Sequence, residues 1–197
     1  MDIGALNHLI GRVREIVAGR RILVFGSSSL FASFPAAPPD MIGVESTLDA
    51  DFFLDPDDEK FRALLVDELG RNQEFHLMTG YYGDFVDLRL ADNFPSGWRD
   101  RLVAMPGFED VFALDPVDMC VTKIAATANS RLNLRLGRGG VDRGIKDINA
   151  IVLLLKSGRV DRASLTRRLD QMDYFPALTV ECGRVFTQIL ALVDAVA

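Results

Sequence analysis

The chain has 197 residues, 49% of them hydrophobic and 25% charged, which suits one substantial core and excludes a disordered or low-complexity polymer. Its 28 acidic residues outnumber 22 Lys plus Arg, a formal charge of -6, so a surface given over to nucleic acid is excluded except through a local basic strip. Cys120 and Cys182 lack metal-ligand spacing and read as reduced packing residues, which favours the cytoplasm; no export signal and no apolar run of membrane-span length is evident, so no membrane partner is expected.

In chain order, Ile3, Leu6, Leu9, Ile10, Val13, Ile16 and Val17 recur at three- and four-residue spacing and predict an amphipathic first helix. "RILVFG" follows as a short buried strand ended by Gly26, and "SSSLFASF" reads as a helix start with a serine available as cap. "PAAPPD" forces a loop. A strand is expected over about residues 47 to 54, then a helix in "DPDDEKFRALLVDELG" with an acidic start and a terminal glycine. "GYYGDFVDLRLAD" reads as a further strand, and "RLVAMPG" and "VFALD" as shorter ones. From Pro116 the pattern is helical. The fold class is α/β (α+β): a small mixed sheet with flanking helices over 1–114, and a helical portion over 115–197 packed on it as one compact unit.

Two aspartates interrupt the second strand. Side chains alternate along a strand, so Asp49 and Asp51 project from one face while Ala50, Phe52 and Leu54 take the other. Two carboxylates roughly 6 to 7 Å apart at Cα can share Mg²⁺, which would answer the cost of taking their charge out of water. Gly26 and Ser27 make the complementary half, because a small strand-to-helix turn directs amides and a hydroxyl at phosphate. In "YYGDFVDLRL", counting alternation puts Phe85, Asp87 and Arg89 on one face and Tyr82, Asp84, Val86 and Leu88 on a mainly apolar one. Asp87 is therefore the expected third carboxylate, with Asp84 the alternative if the strand starts late or bulges near Gly83. The turn lacks the lysine of a Walker loop and the last glycine of a hydrolase elbow, which removes those two chemistries.

"GSSSLFASFP", "ESTLDADFFLD" and "FVDLRL" together resemble the DNA polymerase β-like nucleotidyltransferase superfamily. "LDPVDMCVTKIAA" and "IKDINAIVLLL" look like a bacterial group related to the abortive-infection toxin nucleotidyltransferases; the likeness spans roughly residues 20 to 157. The resemblance implies that Gly26 and Ser27 hold a nucleoside triphosphate, that Asp49, Asp51 and Asp87 hold Mg²⁺ or Mn²⁺ and carry catalysis, and that Lys123 touches phosphate. Lys146 and Asp147 match a later Lys-Asp pair, and the site is expected in a cleft between the sheet and helical portions. Nucleotidyl transfer to an acceptor, RNA or protein, is the implied activity; a catalytically silent nucleotide-binding or toxin-antitoxin partner protein is the alternative. A basic strip, Arg131, Arg135, Arg138, Arg143 and Lys146, reads either as a guide for a polyanion or as a solvated loop.

Overall fold

Each early element forms for a local reason that can be read from its residues. Asp2 accepts from the Ala5 amide at 2.8 Å and caps α1 (Ile3–Ile16), whose Leu6, Leu9, Ile10 and Val13 form a fully buried stripe. The chain is known from a computed structural model that describes residues 1–45, 47–138 and 144–195. β1 (Arg21–Phe25) buries its middle three residues and runs into a 3-10 turn, Ser27–Ser29, and a single turn of helix, α2 (Leu30–Ser33). The serines do not cap it: the Ser28 hydroxyl donates to the Asp49 carbonyl at 3.0 Å and that of Ser29 to the Gly26 carbonyl at 2.7 Å. β2 (Asp49–Asp55) follows, then α3 (Glu59–Leu69), capped by Asp58, which accepts from the amides of Lys60 and Phe61. A short helix, α4 (Glu74–Thr79), stands where no element was expected. It ends in Gly80 at φ 79°, a conformation glycine adopts without strain.

The sheet is mixed, as expected, with order β3-β2-β1-β5-β4, where β3 is Tyr82–Phe85, β4 Val103–Ala104 and β5 Val111–Ala113. β1 pairs antiparallel with β2 and parallel with β5; β2 pairs parallel with β3, and β4 antiparallel with β5. One face carries Ile22, Val24, Ala50, Phe52, Leu54, Val111 and Ala113, each at most 1% exposed. Burying a side chain the size of Phe52 contributes about 1.5–3 kcal/mol. The Phe52 and Phe85 rings stack at 5.4 Å, and a Cβ on Gly83 would lie 2.5 Å from the Phe85 ring. That glycine lets Phe85 lie back across its own strand. On the other face Phe25 stacks on Phe53 at 4.1 Å, and beside this apolar patch stand the acids.

β3 is shorter than the sequence pattern suggested. The Val86 amide still reaches the Phe52 carbonyl at 3.0 Å, but Asp87 then turns the chain back by accepting from the Arg89 amide at 2.9 Å, and Leu88–Asn93 is 3-10 helix.

Contacts divide the chain into two compact units, Met1–Asn93 with Trp98–Pro116, and Phe94–Gly97 with Val117–Ala197. The second is helical: α5 (Pro116–Arg135), α6 (Gly144–Lys156), α7 (Arg162–Asp170) and α8 (Pro176–Asp194). Its core includes Ile124, Ile151, Leu154, Leu165, Val185 and Ile189 and two buried acids. Asp118, fully buried, accepts from Arg168; Glu181 accepts from Arg135 at 2.6 Å and from Arg184 at 3.2 Å. α8 corrects one expectation. By length and composition it is the one helix among the described residues apolar enough to cross a membrane, although Glu181 on it is buried against the two arginines.

Both cysteines are free thiols in the core. Burial, reinforced by the Glu181 charge, pushes the Cys182 thiol up to about 11. A folded value raised above the unfolded one stabilises fully below about pH 8.5, and the contribution fades as pH rises toward 11. Unfolding stability should therefore fall over that window by up to about 1.4 kcal/mol per pH unit. Cys182→Ala should flatten the slope in denaturant titrations at pH 8 and 10.5; an unchanged slope would contradict the assignment.

Candidate metal centre

The antiparallel register sets Phe25 opposite Asp51, so the turn that follows β1 begins beside that carboxylate. The parallel register sets Asp51 opposite Asp84 and Asp49 opposite Tyr82, which puts the three acids and Tyr82 on one face of the sheet. One carboxylate oxygen from each of Asp49, Asp51 and Asp84 lies within 4.8 Å of the others, and all three residues are half-buried. Two negative charges at that separation repel by about 3–4 kcal/mol at an effective dielectric near 20.

The donor set is three hard oxygens, the chemistry that Mg²⁺ and Mn²⁺ take. Asp49, Asp51 and Asp84 are the residues that would hold such an ion, each offering one carboxylate oxygen. Gly26 closes the site from the β1 side at φ 64°; a Cβ there would lie 2.1 Å from Asp51 Oδ2. Backbone and carboxylate thus approach as only glycine allows. Ser27, half-buried, keeps its hydroxyl uncommitted among the described residues, whereas Ser28 and Ser29 tie the turn to β2 and to itself.

Asp87 is not part of this cluster; the strand register brings Asp84, the alternative third carboxylate, to Asp49 and Asp51 in its place. Alternation holds only within a strand; β3 ends at Phe85, and the turn there takes Asp87 out of the series. Its carboxylate is held by Arg89 Nε at 2.9 and 3.0 Å and by Arg62 Nη1 at 3.3 Å. Hydrogen bonds from Arg89, with Arg62 adding to them, keep it well below the usual carboxylate range. It lines a separate open cleft of about 520 Å³ with Arg62, Arg89, Trp98 and Arg99.

In the helical unit, Lys123 Nζ is bonded to Asp147 at 2.5 Å, with both side chains largely buried. Lys146, its expected partner in the Lys-Asp pair, is exposed. Half of the described basic strip is committed to α8, Arg131 to Gln188 at 2.9 Å and Arg135 to Glu181; Arg138 is exposed, and Arg143 lies outside the described residues.

Tyr82 was not picked out by sequence, although it shares the parity of Asp84 two residues later. Burial, then the charges of Asp49, Asp84 and Asp51, raise its phenol above the ordinary tyrosine value, with Arg71 acting in the opposite sense. A divalent cation on the carboxylates would cancel part of the negative field, so saturating Mg²⁺ should lower the Tyr82 value. Ring-carbon NMR of labelled tyrosine reads this directly. Tyr81 and Tyr174, raised by burial as well but not by these three acids, serve as internal references. A Tyr82 titration indifferent to Mg²⁺ would speak against a metal at these acids.

Comparison with protein-family models, with curated proteins and with solved structures finds no match for this chain, so a functional reading rests on the residues themselves.

Proposed function

We propose that the chain is a divalent-metal-dependent nucleotidyltransferase whose Mg²⁺ or Mn²⁺ is held by Asp49, Asp51 and Asp84. The observation that carries this is the convergence of three carboxylates from the paired strands β2 and β3 on the Gly26 turn. Bound there, the cation would supply charge neutralisation at a phosphate under attack. The Gly26–Ser27 backbone and the Ser27 hydroxyl hold the phosphate tail of a nucleoside triphosphate. One carboxylate orients the acceptor hydroxyl and takes its proton. The acceptor oxygen bonds to the α-phosphorus, the bond from that phosphorus to the bridging oxygen breaks, and pyrophosphate leaves with the electron pair.

Incubation with each labelled nucleoside triphosphate, Mg²⁺ and total cellular RNA or protein tests the proposal, and the destination of the label names the acceptor. Nucleotide binding without transfer in any combination would favour a silent nucleotide-binding partner protein of toxin-antitoxin type.

A further inference from the structure

Beside the carboxylates, on the edge strand β3, lies a group of side chains that the reaction above leaves unused. The Tyr82 and His76 rings meet at 4.9 Å with their planes 69° apart, and both residues are half-buried. Two rings at that angle form a notch in which a planar group can lie flat on one and meet the other edge-on. His76 is oriented by the Asn72 amide, which donates to its Nδ1 at 3.0 Å. In the neutral ring the proton is then on Nε2, which leaves a hydrogen-bond donor for a ligand. Asn72 stands at φ 67°, the only non-glycine among the described residues with positive φ, in the tight turn that leads from α3 to α4.

Arg71 lies in this turn. It is exposed, adjoins Asn72, whose amide reaches His76, and forms no ion pair or hydrogen bond among the described residues. Other arginines of the same unit differ: Arg20, Arg62, Arg89 and Arg99 each end on an aspartate. An uncommitted guanidinium next to an aromatic notch matches a base that carries phosphate. From β1, which carries the Gly26 turn, to β3 is two strand spacings, roughly 9–10 Å, about the run from a phosphate tail to its base.

We propose that Arg71, His76 and Tyr82 form the recognition shelf for a nucleotide unit, its base in the Tyr82–His76 notch and Arg71 beside the notch as the cation that attracts the unit's negative charge. This rests on the carboxylate cluster being a metal centre for nucleotidyl transfer. The unit is either the nucleoside end of the donor triphosphate or the terminal nucleotide of a single-stranded RNA acceptor, since both present the same chemistry.

The test uses the full chain with Mn²⁺ and three probes: inorganic triphosphate, the four nucleoside triphosphates, and a short single-stranded RNA. Tyr82→Leu should weaken a base-bearing probe at least about fivefold and leave inorganic triphosphate within about twofold. Tyr82→Phe, which keeps the ring, should restore binding. Arg71→Gln should weaken the same base-bearing probe and reduce its salt slope by about one. Loss confined to the nucleoside triphosphates identifies the donor, and loss on the RNA identifies the acceptor. If Mn²⁺ binding is intact, the variants melt as wild type does, and neither Tyr82→Leu nor Arg71→Gln changes any probe beyond twofold, the shelf is overturned and the metal centre stands. If wild type binds no Mn²⁺, the metal centre falls and takes the shelf with it.

Discussion

Asp84→Asn is expected to reduce nucleotidyl transfer at least about a hundredfold, about 2.7 kcal/mol of transition-state stabilisation, while Asp87→Asn transfers at close to the wild-type rate. Asparagine keeps the shape of the side chain and one neutral oxygen, so the change isolates charge. In Asp84 that charge sits within 4.8 Å of two others across the β2–β3 pairing, where a cation would need it. In Asp87 it is engaged by Arg89 and Arg62 in a different cleft. Loss of Asp84 also relieves repulsion, so the melting temperature without metal should hold or rise, as expected where function keeps like charges together. A rate that falls with Asp87→Asn and not with Asp84→Asn would restore the triad read from alternation and refute the register argument.

Gly26→Ala should destabilise the protein by about 2–4 kcal/mol and weaken metal binding as well. Two costs combine. An L-residue at φ 64° and ψ -156°, a region essentially confined to glycine, costs about 1–3 kcal/mol, and the new methyl would have to displace a carboxylate that stands 2.1 Å from its ideal position. Gly19→Ala separates the two, because Gly19 also has positive φ, 81°, but a Cβ there meets nothing within 4 Å. The control should show the backbone cost alone in urea unfolding and leave Mn²⁺ affinity unchanged. Equal losses in the two variants would mean that the contact between Gly26 and Asp51 carries no weight.

The parts of the site visible in sequence are those fixed by short-range pattern. Asp49 and Asp51 lie inside one strand, where a period of two places them together without knowledge of the sheet. Gly26 marks the end of β1 by its position after a buried run. Choosing the third carboxylate needed the end of β3, and that end is decided by Asp87 accepting from the Arg89 amide and by the last ladder bond, from Val86 to Phe52. Pattern continues through Val86, Leu88 and Leu90, whereas the backbone does not. α4 escaped for a related reason: six residues show too little periodicity, and its stop signal, Gly80, also reads as the start of the next strand. The helical unit was legible as helices, but its internal pairing was not. Lys123 finds Asp147 24 positions away, and Arg135 finds the buried Glu181 46 positions away, so cations that looked available for phosphate are in part structural.

The central claim is that Asp49, Asp51 and Asp84 hold one divalent ion together. Mn²⁺ titration followed by electron paramagnetic resonance, on wild type and on Asp49→Asn, Asp51→Asn, Asp84→Asn and Asp87→Asn, tests it most directly. The account predicts a saturable site in wild type and Asp87→Asn, weakened at least about tenfold in each of the other three. A site that survives Asp84→Asn unchanged, or that disappears in Asp87→Asn, would contradict it.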